Sequence, residues 1–208
     1  HLWEQLVLPR LTRGAYLVNF NYSGPLFKRD QLITVHDATV VAVPEAFGWR
    51  YRWVHRALVA WLKDRVHRVM TISEFSRREL QQRMGVHDAL VGTEGWDHLK
   101  AADDDAAAQA VLAKHGLQPG RYLLAAGSLK PNKNFDVIDR ALQLMPGFDM
   151  TVAIAGARDR AVFRHSEPGP HVRLLGYVND AELAQLYRHA AWFIFPSFYE
   201  GFGLPALE

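Results

Sequence analysis

Cysteine is absent from the 208 residues, which excludes a disulfide framework, a thiolate metal site and a cysteine nucleophile. The absence fits a reducing cytoplasm. Long hydrophobic runs are missing too: no stretch approaches the roughly 18 apolar residues of a membrane span. The opening His1-Leu2-Trp3-Glu4 does not read as a charged stretch leading into an apolar one, so no secretory leader is expected. Charge of one sign is scarce: 24 Lys and Arg stand against 22 Asp and Glu, a formal net charge of +2. A protein that binds nucleic acid by counterion release usually carries a larger basic excess. The ten histidines show no H-E-x-x-H or other metal-ligand spacing, and no G-x-S-x-G elbow accompanies them. Internal repeats and low-complexity tracts are also lacking.

What is present is ordinary for a globular chain, 49% hydrophobic and 22% charged, which excludes an intrinsically disordered one. Short apolar runs alternate with helical patterns. Strands are predicted at 16–18, 32–35, 68–72, 89–91, 122–126, 150–155, 172–175 and 192–195. Several are continuously apolar, as parallel strands covered on both faces are, so the class predicted is α/β. Ser76 to Glu79 and Asn179 to Glu182 have capping-box spacing. A helix over about 51–66 is predicted to bury Val54, Leu58, Trp61, Leu62 and Val66, with Arg52, Arg56 and Lys63 opposite. Composition shifts at Ala101 to Ala110, where Asp103-Asp104-Asp105 interrupts a run of alanines. The first hundred residues carry 14 basic and 10 acidic side chains, the remainder 10 and 12. These shifts place a boundary near residue 100, giving domains 1–100 and 101–208. Both ends read as internal to a longer protein.

Three segments carry chemistry. In Phe193 to Glu208 an apolar strand runs into a glycine loop, and Pro205 stands where a helix would start. Free amides and the positive end of a helix dipole there suit a phosphate or sugar hydroxyls. Glu200 and Glu208 bracket the loop, and carboxylates accept paired hydrogen bonds from vicinal hydroxyls. The match of Gly201 to Ala206 to G-x-G-x-x-A comes too late in the chain for a dinucleotide fold. The second segment, Gly127 to Phe135, follows a strand and supplies Lys130 and Lys133 for a diphosphate. The third is His36-Asp37 at a strand's carboxyl end. Glycine and proline as turn punctuation, lysines as ordinary surface charges and a packing histidine are the competing structural readings.

The E-x₇-E spacing of Glu200 and Glu208, the Gly127–Lys133 loop and His36, in that order, resemble glycosyltransferase family four, in particular its mannosyltransferase-like branch. His1-Leu2-Trp3-Glu4-Gln5 with Leu8-Pro9, Ile72-Ser73-Glu74-Phe75-Ser76 and Gly176-Tyr177-Val178 resemble it too. The resemblance implies a GT-B fold, with two Rossmann-like domains facing a cleft and both incomplete in this chain. It implies retaining, metal-independent hexosyl transfer from a nucleotide-diphosphate sugar, with GDP-mannose favoured and no cofactor. The acceptor implied is a glycan or lipid-linked oligosaccharide in surface polysaccharide synthesis. Lys133, with Gly127 and Ser128, would meet the diphosphate, and Tyr177 and Val178 the base. Glu200 and the backbone of Gly201, Phe202, Gly203 and Leu204 would hold the sugar and phosphate. Glu208 would hold the ribose, and His36 would reach the sugar near the reacting carbon. His36, Lys133 and Glu200 are thus the implied catalytic set. The sequence departs from the family at Ser128 and Asn132, where Arg is frequent, and at Glu94-Gly95, where Asn-Gly is usual.

Two other classes share the fold: a non-catalytic nucleotide-sugar-binding protein, and a GT-B epimerase or hydrolase. A cytoplasmic protein is expected, with peripheral contact to the inner face of the cell membrane. Trp49 to Arg68 motivates that contact, holding six Lys and Arg against Asp64, together with Trp49, Trp53 and Trp61.

Overall fold

The computed structural model describes residues 2–99, 104–128, 130–156 and 169–208. Ala101, Ala102 and Asp103 of the expected linker and Leu129 of the diphosphate loop lie outside them. The chain divides into two compact units, His1–Glu94 with Tyr199–Phe202, and Gly95–Phe198 with Gly203–Glu208. The division falls between Glu94 and Gly95, ahead of the shift in composition. All eight predicted strands form, most of them a residue or two shorter or shifted.

In the first unit α1 (Leu2–Leu6) and α2 (Leu8–Leu11) precede a four-stranded sheet. Its strands are β1 (Leu17–Asn19), β2 (Gln31–Thr34), β3 (Arg68–Thr71) and β4 (Leu90–Val91), parallel and in that order. Parallel neighbours need crossovers. Here α3 (Thr39–Ala42) and α4 (Trp49–Leu62) join β2 to β3, and α5 (Glu74–Met84) joins β3 to β4. Ile33, Val35, Val59, Leu62, Val69 and Leu80 form the shared core.

Two local expectations are corrected. The cap of α5 is Ser73, whose hydroxyl accepts from the Ser76 amide at 2.9 Å. Ser76 is itself buried inside the first turn, and Glu79 pairs with Arg83 at 2.6 Å instead of closing a capping box. In α4 the buried stripe is His55, Val59 and Leu62, with Leu58 and Val66 at its edge. Val54 and Trp61 are exposed. Lys63 is half-buried and donates to the Gly85 carbonyl at 2.9 Å. A 100° step per residue brackets the face to within about one position either way, and His55 at its centre hid it.

The second unit runs α6 (Asp105–His115), β5 (Tyr122–Ala126), α7 (Asp136–Gln143), β6 (Thr151–Ala155), β7 (Val172–Gly176), α8 (Asp180–His189) and β8 (Trp192–Phe193). Its strands are parallel in the order β7-β6-β5-β8. Asp104 caps α6 by accepting from the Ala106 and Ala107 amides, both at 3.0 Å. Asn179 and Glu182 form the predicted capping box on α8. The continuous apolar character of β5 and β6 has its cause in two cores. Tyr122, Leu124, Ala126, Ala153 and Ala155 pack with Leu112 and Leu186. Ala125, Val152 and Ile154 point the other way, onto Phe135 and Ile138. Alternate side chains of a strand point to opposite faces, so a sheet covered on both sides has no polar positions in its central strands.

Candidate active site

The second unit gathers glycines where its strands end. Gly127 follows β5, Gly156 follows β6 and Gly176 ends β7, with φ of 150°, 93° and 76°. The Gly127 amide donates to the Ala155 carbonyl at 3.1 Å, and the Gly156 amide to Gly176 at 2.8 Å. A Cβ on Gly156 would stand 2.5 Å from the Gly127 oxygen. Only glycine permits that approach with that backbone. Glycines thereby line the carboxyl edge of the sheet, the usual position of a ligand in an open α/β sheet.

Lys133 lies across this edge. Its Cε and Cδ would be 3.4 and 3.5 Å from a Cβ on Gly127, so its stem occupies the space that the glycine leaves. Gly127 and Lys133 are thus brought together as the sequence suggested, with Ser128 exposed beside them. Two asparagines not singled out as functional from the sequence hold the loop in place. Asn132 accepts through its backbone carbonyl from the Phe198 amide at 2.8 Å. Asn134, the one non-glycine residue at positive φ among those described (54°), donates through Nδ2 to the Pro196 carbonyl at 3.0 Å. The lysine loop and the strand-to-glycine loop are therefore tied to one another. The signal was present in the sequence, since Asn is the side chain that most readily adopts the left-handed region and still donates.

Tyr177 is exposed, at 82%, but Val178 is buried at 8% in the α6/α8 core. The side chain of Val178 belongs to packing, so only its backbone is left to face a ligand. Gly203 has φ 87° and opens the 3-10 turn Leu204–Ala206, with Pro205 inside it, where a helix start was expected. Glu208 is close to fully buried, its side chain 7% exposed. One oxygen accepts from the Tyr187 hydroxyl at 3.0 Å, and the other lies 3.4 Å from His98 Nε2. Burial, and then the neighbouring Glu208 charge, push the Tyr187 phenol well above its ordinary range, so it stays protonated and donates. Neither partner was legible, because both come from distant positions in the sequence.

In the first unit His36 follows β2. Its Nδ1 lies 3.2 Å from a Glu94 oxygen and its Nε2 3.1 Å from the Phe20 carbonyl. The Thr71 hydroxyl donates to the His36 carbonyl at 3.0 Å, and the Tyr22 ring leans on the imidazole at 5.4 Å. Asp37 is turned away, accepting from the Thr39 amide at 2.7 Å and from Tyr22 at 3.4 Å. Of the loop segment, Tyr199–Phe202 groups with this unit. Gly201 accepts through its carbonyl from the hydroxyls of Ser73 and Ser76, and a Cβ on it would stand 2.8 Å from Asp37 Cβ. Glu200, half-buried, and Phe202 flank it. Ser73 thus does more than cap α5: together with Ser76 it holds the backbone beside Glu200. Among the described residues no three His, Asp or Glu side chains come together as a metal site.

Residues 120–208 match the family model of the glycosyl transferases group 1. The chain is 32% identical over 209 residues to the O-antigen chain mannosyltransferase B of Escherichia coli, covering 91% of this chain and 54% of that protein. It is 30% identical over 111 residues to the serotype-specific mannosyltransferase WbdA of Escherichia coli, covering 48% of this chain and 14% of the relative. Similar solved structures include a glycosyltransferase from Rickettsia africae, with TM-score 0.63 and 14% identity over 94% of this chain and 55% of that one. Another is the Anabaena protein HepE in complex with UDP and glucose, with TM-score 0.60 and 17% identity over 82% and 47%. The chain thus spans about half the length of the first of these mannosyltransferases. Two parallel α/β units of the GT-B type, with a glycine-lined strand edge bearing Lys133, are thus the frame on which residues 120–208 resemble the glycosyl transferases of group 1.

Proposed function

We propose that the whole protein is a mannosyltransferase that moves mannose from GDP-mannose to a glycan or lipid-linked acceptor in surface polysaccharide synthesis. The observation that carries this is the 32% identity to an O-antigen mannosyltransferase along 91% of the chain. In this reading Lys133, stretched over Gly127, meets the charge that grows on the departing diphosphate, and the loop amides meet the rest of it. No metal is then needed. Glu208, fixed by Tyr187 and His98, accepts from the ribose hydroxyls. Glu200 positions the sugar with the amides of Gly201 to Leu204. The anomeric configuration is retained because the acceptor attacks from the leaving group's face and the departing phosphate takes its proton.

We also propose peripheral contact with an anionic membrane. No helix among the described residues is long and apolar enough to cross one. The side of α4 turned away from its buried stripe carries Trp49 and Trp53, 71% and 70% exposed, beside exposed Arg50 and Arg56. Aromatic and cationic side chains on one face suit an anionic lipid interface. The function is tested by supplying the full-length protein with GDP-mannose and its competitors UDP-glucose and UDP-galactose. Transfer or hydrolysis confined to GDP-mannose supports the reading; turnover of a UDP-sugar alone overturns the donor assignment.

A further inference from the structure

We propose that the connection between β1 and β2 is a membrane-insertion loop, with Phe27 the side chain that enters the hydrocarbon boundary of the bilayer and Trp61 and Arg65 the groups that stay at headgroup level. The inference rests on the membrane contact proposed above and adds to it a second element, one that works by apolar insertion and not by charge.

Phe27 is 86% exposed, more than any other large apolar side chain among the described residues. A single exposed apolar residue is ordinary on a protein surface. This one stands on a backbone held from several sides. Gln31, fully buried on β2, donates to the carbonyls of Pro25 at 2.7 Å and Lys28 at 2.5 Å. Gln5 on α1 accepts from the Leu26 amide at 2.9 Å and donates to the Gly24 carbonyl at 3.1 Å. The Trp61 indole N–H, in the last turn of α4, donates to the Leu26 carbonyl at 3.2 Å. Lys28 is turned back onto the Thr12 and Ala15 carbonyls at 2.9 and 2.8 Å. Backbone groups on both sides of Phe27 are thus paired within the first unit, and the ring is left to solvent. A loop fixed in this way has little further ordering to undergo when its ring passes into an apolar phase.

The surroundings of the ring name the occupant. Phe27 meets the Trp61 indole edge-on at 6.3 Å, and the Arg65 guanidinium lies over that indole, 3.6 Å from its centre. An apolar ring beside an amphipathic indole and a guanidinium matches the succession that a bilayer boundary presents, from hydrocarbon to headgroup. Trp61 is exposed on the same helix as Trp49 and Trp53, eight residues beyond Trp53 and so about 12 Å along the axis. The loop therefore continues the surface of α4 that carries Trp49, Trp53, Arg50 and Arg56. Its own charges nearly cancel: exposed Asp30 and Asp64 adjoin exposed Arg29 and Arg65 in the sequence. What the loop adds is an apolar contribution, beside the electrostatic one of Arg50 and Arg56.

The test is co-sedimentation of the full-length protein with phosphatidylcholine vesicles containing phosphatidylglycerol, at low and at moderate salt. Wild type is compared with Phe27→Ser, Phe27→Leu and the Arg50→Glu/Arg56→Glu pair. Phe27→Ser should lower the partition coefficient about tenfold, and by the same factor at both salt concentrations, because burial of a ring is not screened. The loss in the arginine pair should shrink as salt rises. Phe27→Leu, still apolar, should recover most of the binding. Thermal midpoints of both Phe27 variants should equal that of wild type, since the ring is exposed. Equal sedimentation of wild type and Phe27→Ser overturns this inference and leaves the α4 contact standing. A Phe27→Ser loss that disappears with salt overturns insertion as its cause. A lowered midpoint for Phe27→Ser with unchanged vesicle binding means that the ring packs on protein, and overturns the inference as well. A wild type that does not sediment with these vesicles overturns the membrane contact, and the inference with it.

Discussion

Lys133 and Gly156 state the residue-scale demands most sharply. Lys133 reaches the strand edge because Gly127 lacks a Cβ. Lys133→Ala should therefore lower turnover by more than it lowers affinity for a bare nucleoside, and Lys130→Ala should do neither; steady-state kinetics beside calorimetry separates the two. Reversed effects would assign the role to Lys130. Gly156→Ala places a methyl 2.5 Å from the Gly127 oxygen at a φ of 93°. Such strain costs on the order of 1–3 kcal/mol, so the urea midpoint should fall with an unchanged slope. A midpoint equal to wild type would mean that the edge is looser than described. Glu208→Gln should weaken nucleotide binding by about 1.5–3 kcal/mol, the scale of a charge-assisted hydrogen bond. Tyr187→Phe should cost less, because His98 still flanks the carboxylate at 3.4 Å.

At the scale of elements, α4 shows how a helix can face two ways. His55 is buried on its inner stripe, between Tyr22 at 4.4 Å and Tyr51 at 5.6 Å, and neither ring nitrogen finds a partner among the described residues. Burial lowers its affinity for a proton, only partly offset by the Asp37 charge. As pH falls, the unfolded chain therefore takes up the proton before the folded one does. The contribution of His55 is whole above about pH 6.5 and is lost below it. Thermal midpoints should drop between pH 7.5 and 5.5, and the drop should shrink in His55→Leu; an equal drop would remove His55 as its source. His115 shifts the same way by burial and the adjacent Lys114, so some acid sensitivity should remain. On the outer side, Trp49→Ala with Trp53→Ala should abolish salt-sensitive sedimentation with anionic vesicles, and Arg50→Glu with Arg56→Glu should do so at low salt. Unchanged binding would leave α4 as an ordinary surface helix. The strands were legible because their apolar runs are local and both sheet faces of the second unit are covered. The capping box of Asn179 and Glu182 was legible for the same reason, as all its atoms lie within one turn. The face of α4 was misjudged because a histidine occupies its centre. The pairs His36 with Glu94, Glu208 with Tyr187, and Asn134 with Pro196 bring together residues far apart in sequence, and no local pattern marks them.

In the molecule as a whole, the glycine edge, Lys133 and Glu208 lie in the second unit. His36, Glu94 and the Gly201 carbonyl held by Ser73 and Ser76 are in the first. Each unit is a parallel sheet with helical crossovers, so each presents a carboxyl edge on which such groups collect. The direct test of the account is mannose transfer from GDP-mannose to a glycan acceptor by the full-length protein in excess chelator, with the new linkage assigned by NMR. The account predicts an α-linked product at an undiminished rate, since Lys133 and the loop amides take the diphosphate charge. A β-linked product, or activity lost in chelator and restored by manganese, would contradict it.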